Sequence, residues 1–221
     1  MLKAYALFDF DGTLIAGDSI VRFLRFARRR GAAGWGHAAR AAAWAAAYGL
    51  GLASAARAKE GALGFLAGRT QAQMQALAEA FCEEELMPRL RKQGVQTLCR
   101  LAQEGKSVLL LSASPSFYLE PLMRRLPLEG VIATRLHVEQ GVYTGRLAGE
   151  NCRGVQKPLR LAEYLAARGD TLDYAASWAF GDSGGDWPML QLCAHRVAVH
   201  PRRSLRKRMG PGADVALWDE G

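Results

Sequence analysis

Asp9-Phe10-Asp11-Gly12-Thr13 sets two carboxylates two residues apart where the apolar run Ala4–Phe8 gives out. On an extended chain such side chains point the same way, with Phe8 and Phe10 turned to the other side. Carboxylates held that close repel, so the pair must raise a pKa or share a cation. The arrangement costs stability and suggests chemistry, although Asp, Gly and Thr are also ordinary turn formers. A calcium loop counted from Asp9 would need Gly at its sixth position and Glu at its twelfth. Those positions are Leu14 and Ile20, so that reading fails.

A second acidic cluster follows the same plan. In FGDSGGDWPML (180–190) a strand-like run ends at Asp182, two glycines follow, and Asp186 precedes Trp187-Pro188. Asp186 reads as the cap of a helix starting there. Asp182 has no such structural task. In open α/β sheets ligands bind beyond the carboxyl ends of the strands. Asp9, Ser112 and Asp182 each fall at such an end, and the oxygens converging there suit Mg²⁺. The stretch Gly181–Gly185 also matches the G-x-S-x-G elbow of serine hydrolases, with Ser183 as nucleophile. That fold needs further strands, an acid and a His after the elbow. His195 and His200 are present, but little chain follows, and Asp9 and Asp11 would be left without work.

The elements that must position these residues read as an α/β fold. Residues 4–9, 107–112, 178–182 and 195–200 are strand-like, the first two apolar on both faces as in a parallel sheet. Helices are expected at about 89–104 and 158–167. Ser114-Pro115 reads as the start of another helix, which Pro121 should shorten. Residues 130–149 read as short strands around a turn at Gln140-Gly141. Alternation of strands and helices predicts a Rossmann-like core with a mainly parallel sheet flanked by helices. From Asp18, which can cap a helix through Ile20, Val21, Phe23 and Leu24, to Pro88 the chain reads as helical throughout. This stretch, 16–88, is expected to be an inserted all-helical cap on a core of 1–15 and 89–221. Within it, Trp44, Tyr48 and Leu52 are expected on one stripe of an Ala-rich helix over 38–52.

With 221 residues, half of them hydrophobic, the chain suits a core plus a modest insertion. Four scattered cysteines with no CxxC pair make neither a zinc pattern nor a disulfide framework, and the N-terminus shows no secretory pattern. A cytoplasmic location is expected. The net charge of +8 favours anionic partners. The two basic clusters, Arg22–Arg30 and Arg202–Arg208, lack interleaved aromatics and read as solvated helix faces, with no nucleic-acid partner expected. The apolar stretch between Arg40 and Arg57 is too short to span a bilayer, which leaves only peripheral membrane contact open.

Together these residues resemble the haloacid dehalogenase superfamily of aspartate-nucleophile phosphatases. DFDGTL (9–14) looks like the first motif and LLLSAS (109–114) like the second. Lys157 in GVQKPLRLAEYL (154–165) looks like the third, and GDSGGDWPML (181–190) like the fourth. The helical insert and the hairpin before Lys157 are similar to the phosphoserine-phosphatase-like branch, subfamily IB type. The chain departs from that enzyme at Ala113 and Ser114 (typically Gly-Gly) and at Gly185 (typically Asn), and Asp18 stands where a substrate-reading Glu is expected.

The resemblance implies a Mg²⁺-dependent phosphomonoesterase acting on a small phosphorylated metabolite. Asp9 would attack phosphorus to give an aspartyl-phosphate, and Asp11 would serve as acid and base. Ser112 and Lys157 would hold phosphate oxygens. Asp9, Asp182 and the Asp11 carbonyl would bind the metal, with Asp186 orienting a metal-bound water. Asp18 and the cap would select the substrate. The alternatives are a lipid phosphate phosphatase at a membrane surface and a non-catalytic binder of phosphorylated ligands.

Overall fold

Tyr5–Phe8, the run that delivers Asp9, is buried along its whole length between two parallel neighbours. In the computed structural model, which describes residues 1–210 and 214–219, ten strands are present. In chain order they are β1 (Leu2–Lys3), β2 (Tyr5–Phe8), β3 (Ser107–Pro115), β4 (Gly130–Thr134), β5 (Leu136–Glu139) and β6 (Val142–Leu147). They continue with β7 (Thr171–Leu172), β8 (Trp178–Gly181), β9 (His195–Val199) and β10 (Asp214–Ala216). The helices are α1 (Ser19–Arg29), α2 (Trp35–Gly49), α3 (Ala55–Leu63), α4 (Gln71–Phe81) and α5 (Lys92–Gln103). The remainder are α6 (Ser116–Leu119), α7 (Gln156–Ala166), α8 (Trp187–Leu190) and α9 (Arg203–Met209).

Six strands form the main sheet in the order β10-β9-β8-β2-β3-β4, parallel throughout. Alternate residues serve opposite faces, as the strand period requires. Phe8, Leu110 and Phe180 join one apolar cluster, whereas Tyr5, Leu7, Leu109 and Ala179 join the other. The Phe8 and Phe180 rings stack at 4.3 Å across β2 and β8. After β2 the chain passes to β3 and β4 on one side and returns to β8 on the other. The ends of β2, β3 and β8 therefore meet at the switch point, where a crevice opens.

Helices α1–α4 follow directly on β2, and local chemistry accounts for their starts. The Asp18 carboxylate accepts from the amides of Ile20 and Val21 at the head of α1. Thr70 and Gln73 form a reciprocal capping box at the head of α4. α2 and α3 lie against each other where Gly61 faces Trp44. A Cβ on Gly61 would stand 2.1 Å from the Trp44 ring, so only glycine permits that approach. Phe23 and Phe26 of α1 and Phe81 of α4 belong to the same cluster as Phe8 and Tyr118. The outer helices of this segment thus share the core, α3 joins it only through Leu63 at its end, and α2 contributes no residue to it. Hairpin β5–β6 turns at Gln140-Gly141, both left-handed at φ 49° and 78°. It pairs with the segment before α4 and not with the main sheet: Gly68 N donates to Tyr143 O at 2.9 Å and Tyr143 N to Arg69 O at 2.8 Å.

Four local expectations are corrected. β3 runs on through Pro115 and α6 begins at Ser116, because the Ser114 hydroxyl is bonded to Asp11 and caps nothing. α2 ends at Gly49, so Leu52 lies beyond it and is exposed, while Trp44 turns to Gly61 and Tyr48 to Arg153. Asp186 occupies the position before α8, but its side chain makes no cap bond there. The basic clusters are more than solvated faces. Arg29 and Arg30 pair with Glu85 and Glu84, Arg28 stacks on Trp35, and Arg202 reaches Asp182. Among the described residues no helix is long and apolar enough to cross a membrane.

Candidate active site

The first two motifs converge because β2 and β3 are adjacent and in register. Asp9 leaves β2 with its amide bonded to Phe180 O at 2.9 Å, which ties the end of β2 to the end of β8. Gly12 then turns the chain at φ +84°, a conformation glycine adopts without strain. A Cβ there would lie 2.2 Å from Asp182 Oδ2. Glycine at 12 thus meets two demands, the turn and the room for Asp182.

Lys157, in the first turn of α7, is buried and bonds two carboxylates at once. Its Nζ lies 2.6 Å from Asp9 Oδ1 and 2.5 Å from Asp186 Oδ1. Thr13 Oγ1 donates to the other Asp9 oxygen at 3.2 Å. The second Asp186 oxygen accepts from Ser183 N at 2.9 Å and Ser183 Oγ at 2.8 Å. Asp182 accepts from Arg202 Nε at 2.6 Å. Asp9, Asp182 and Asp186 each bring a carboxylate oxygen within 4.8 Å of the others, all three buried. Burial, and after it the Asp186 charge, push Asp9 well above the ordinary carboxylate range, since two carboxylates share one ammonium. Burial and Asp186 likewise raise Asp182 to about 6. For Asp186 burial acts upward, but Lys157 and the Ser183 donors outweigh it and hold the carboxyl low. Three crowded oxygen donors with frustrated charge fit a hard divalent cation such as Mg²⁺.

Asp11 is separated from this cluster by its partners. Ser19 N donates to its Oδ1 at 2.7 Å, and Ser19 Oγ donates to Oδ2 at 3.1 Å. The Ser114 hydroxyl also donates to Oδ2, and Ser19 Oγ contacts Tyr118 OH at 2.9 Å. Burial and next the Asp18 charge raise Asp11 to about 6, against these donors. A carboxyl titrating there can give and take a proton near neutrality. Ser112 Oγ accepts from Ser114 N at 3.0 Å, which leaves its own proton free.

All seven residues expected from the sequence, Asp9, Asp11, Asp18, Ser112, Lys157, Asp182 and Asp186, line one cavity of about 390 Å³. The α2–α3 pair supplies its opposite wall. Pattern reading missed Lys59, Asn151, Arg153 and Arg202, which line it as well. Lys59 carried no local signal, because a lysine in an Ala-rich helix reads as solvated. Here it is buried, which lowers its pKa to about 8. The serine-hydrolase reading finds no support. Ser183 Oγ is bonded to Asp186, His200 Nε2 contacts Trp218 O and Arg91, and His195 stacks on Trp178.

The family model for haloacid dehalogenase-like hydrolases matches residues 6–191, from β2 to just past α8. The chain belongs to that family. The hydrolase is 32% identical over 212 residues to phosphoserine phosphatase SerB1 of Mycobacterium tuberculosis, covering 93% of this chain and 67% of that protein. It superposes on the crystal structure of a protein of unknown function from Bordetella pertussis Tohama I with TM-score 0.88. The two share 29% identity over 97% of this chain and 98% of the other. A phosphoserine phosphatase solved as a phospho-aspartyl intermediate analogue gives TM-score 0.67 at 18% identity, covering 100% of this chain and 95% of that one. That last likeness establishes the fold. Its α/β core with a mainly parallel sheet is the one the hydrolase adopts.

Proposed function

We propose that this hydrolase is a Mg²⁺-dependent phosphomonoesterase that acts on a small phosphorylated metabolite through an aspartyl-phosphate on Asp9. The observation that carries this reading is the buried Asp9–Lys157–Asp186 arrangement beside Asp182, with a separately held Asp11 in the same cavity.

Asp9, Asp182 and the Asp11 carbonyl would hold Mg²⁺, which when bound offsets the charge of a phosphate dianion facing an anionic nucleophile. Asp186 already serves Lys157 and Ser183, which suits it to orient groups around the ion. An Asp9 oxygen attacks phosphorus in line; the Asp9 O–P bond forms as the bond to the leaving oxygen breaks. Asp11 passes its proton to that oxygen. It then takes a proton from the water that hydrolyses the aspartyl-phosphate, which returns Asp9 and releases inorganic phosphate. Lys157 and the Ser112 hydroxyl hold the remaining phosphate oxygens. Segment 16–88 acts as the cap, whose α2–α3 pair and Asp18 face the leaving group and limit access of water.

The test is hydrolysis of an aryl phosphate and of a panel of phosphorylated metabolites, with Mg²⁺ and with chelator. Turnover that needs Mg²⁺ and favours small soluble monoesters is expected. Full turnover in chelator, or selective hydrolysis of a phospholipid monoester, would reject the reading.

A further inference from the structure

Asp11 meets three donors, and together they leave its carboxylate one place to accept. A carboxylate offers about four lone-pair sites, two on each oxygen. Both sites of Oδ2 are taken, one by Ser19 Oγ at 3.1 Å and one by the Ser114 hydroxyl. Oδ1 accepts from Ser19 N at 2.7 Å. One site remains, on Oδ1, and Asp11 lines the cavity in which the proposed leaving group would stand.

The donors come from separate elements, and a third hydroxyl fixes their direction. Ser19 opens α1, and Ser114 lies near the end of β3. Ser19 Oγ has a single proton and three oxygens around it: Asp11 Oδ2, Ser114 Oγ at 2.8 Å and Tyr118 OH at 2.9 Å. Tyr118 is fully buried, so its phenol proton needs an acceptor inside the protein, and Ser19 Oγ is in place to take it. Ser19 Oγ then turns its own proton to the strongest acceptor in reach, the charged carboxylate. The Tyr118 ring cannot swing away. Phe23 stacks on it at 5.3 Å, and Phe81 and Phe117 meet it edge-on at 5.2 and 5.1 Å. Ser19 and Ser114 are buried as well, which keeps solvent from competing for these protons. Ser114 stands where the phosphoserine-phosphatase pattern typically has glycine, so that pattern does not supply its bond to Asp11.

We propose that Ser19, Ser114 and Tyr118 are positioning residues for proton transfer by Asp11. The two serine hydroxyls saturate Oδ2, Tyr118 commits Ser19 Oγ to that task, and the proton exchanged with the leaving oxygen is confined to Oδ1. The inference rests on the phosphatase reading and adds to it which carboxyl oxygen works. The Oδ1–H bond breaks as the bond from that proton to the leaving oxygen forms, and Oδ1 later takes a proton from the attacking water. The hydroxyls stay as donors to Oδ2 throughout, so neither step waits for the carboxyl to turn.

The test compares kcat/KM for p-nitrophenyl phosphate and phenyl phosphate, a quantity that reports the phosphorylation step alone. Phenol, with a pKa of about 10 like that of tyrosine, needs the proton of the acid more than the nitrophenol does. A misdirected acid therefore slows phenyl phosphate more than the nitrophenyl ester. Ser114→Ala and Tyr118→Phe should each widen the ratio of the two by about 10-fold, a fraction of the roughly 100- to 10,000-fold that a positioned acid supplies. Tyr118→Phe removes one atom and carries the test if Ser114→Ala does not fold. In an Asp11→Asn background neither substitution should widen the ratio further, because the group they orient is gone. An equal loss on both esters, or the wild-type ratio, would overturn the proposal and make the hydroxyls only a tie between α1 and β3. So would further widening in the Asp11→Asn background. Wild-type turnover of the nitrophenyl ester alongside any of these results would leave the phosphatase reading standing. Inertness of the wild type toward both esters would overturn both.

Discussion

Lys157 Nζ stands 2.6 Å from Asp9 Oδ1, and both side chains are almost wholly buried. In the proposed mechanism the bond places a cation where a phosphate oxygen and the nucleophile would meet, and Asp186 shares that cation. Removing one partner of a buried pair strands the other. Lys157→Met should therefore abolish turnover and lower the unfolding free energy by about 3–5 kcal/mol. Mg²⁺ should restore part of the stability, because the ion offsets the same carboxylates. Denaturant melts with chelator and with Mg²⁺ provide the measurement, and a variant as stable as wild type in chelator would contradict this account.

The proposed covalent role of Asp9 makes a sharp prediction for two amides. Asp9→Asn should lose turnover with little change in fold, since the volume is similar and the nucleophile is gone. Asp11→Asn should still accept phosphate from an aryl ester, which needs little help to leave, and then release it slowly. Intact-mass measurement after mixing with an aryl phosphate should show one phosphate adduct on Asp11→Asn and none on Asp9→Asn. An adduct mapped to Ser183 would revive the hydrolase elbow instead.

Gly12 combines a left-handed backbone with close approach to Asp182. Gly12→Ala should cost about 1–3 kcal/mol, the range for a residue held in strained backbone, and should displace the Asp182 carboxylate. The expected signature is a higher Mg²⁺ requirement for aryl phosphate hydrolysis together with a lower melting temperature. A Mg²⁺ titration that superimposes on wild type would count against a metal role for Asp182.

Lys59 also predicts how stability varies with pH. Burial lowers its pKa from 10.5 to about 8, so from about pH 8 to 10.5 the unfolded chain holds a proton that the folded chain has lost. Stability gains from rising pH wherever the unfolded state binds more protons. Over that window, wild type should therefore gain on Lys59→Met by on the order of 3 kcal/mol. Below pH 8 the difference should be flat. Urea melts of both proteins at pH 7, 9 and 10.5 measure it, and parallel pH profiles would show that the ammonium is not buried.

The placement of the candidate residues was legible in the chain because they sit where strands end, and apolar runs reveal strands. Asp9 and Asp182 follow β2 and β8, and Ser112 lies near the end of β3; each strand is buried enough to read as parallel, so one sheet brings all three to the same edge. The helical character of 19–81 was equally legible from Ala content and capping residues. Side-chain direction and pairing at a distance were not. Nothing local told Ser114 to face Asp11 in place of capping a helix, or turned Asp186 back to Lys157. Hairpin β5–β6 was recognisable by its turn, but its attachment to residues 68–71 depends on edge groups that only meet in space. Arg202 and Lys59 read as solvated because helix periodicity does not register what another element lays over a side chain. Tertiary packing placed one against Asp182 and buried the other against Ala113 and Asn151. Periodicity and spacing decide which elements form and which residues their ends present; desolvation and charge, which depend on contacts far apart in the chain, are decided only when those elements close around the cavity.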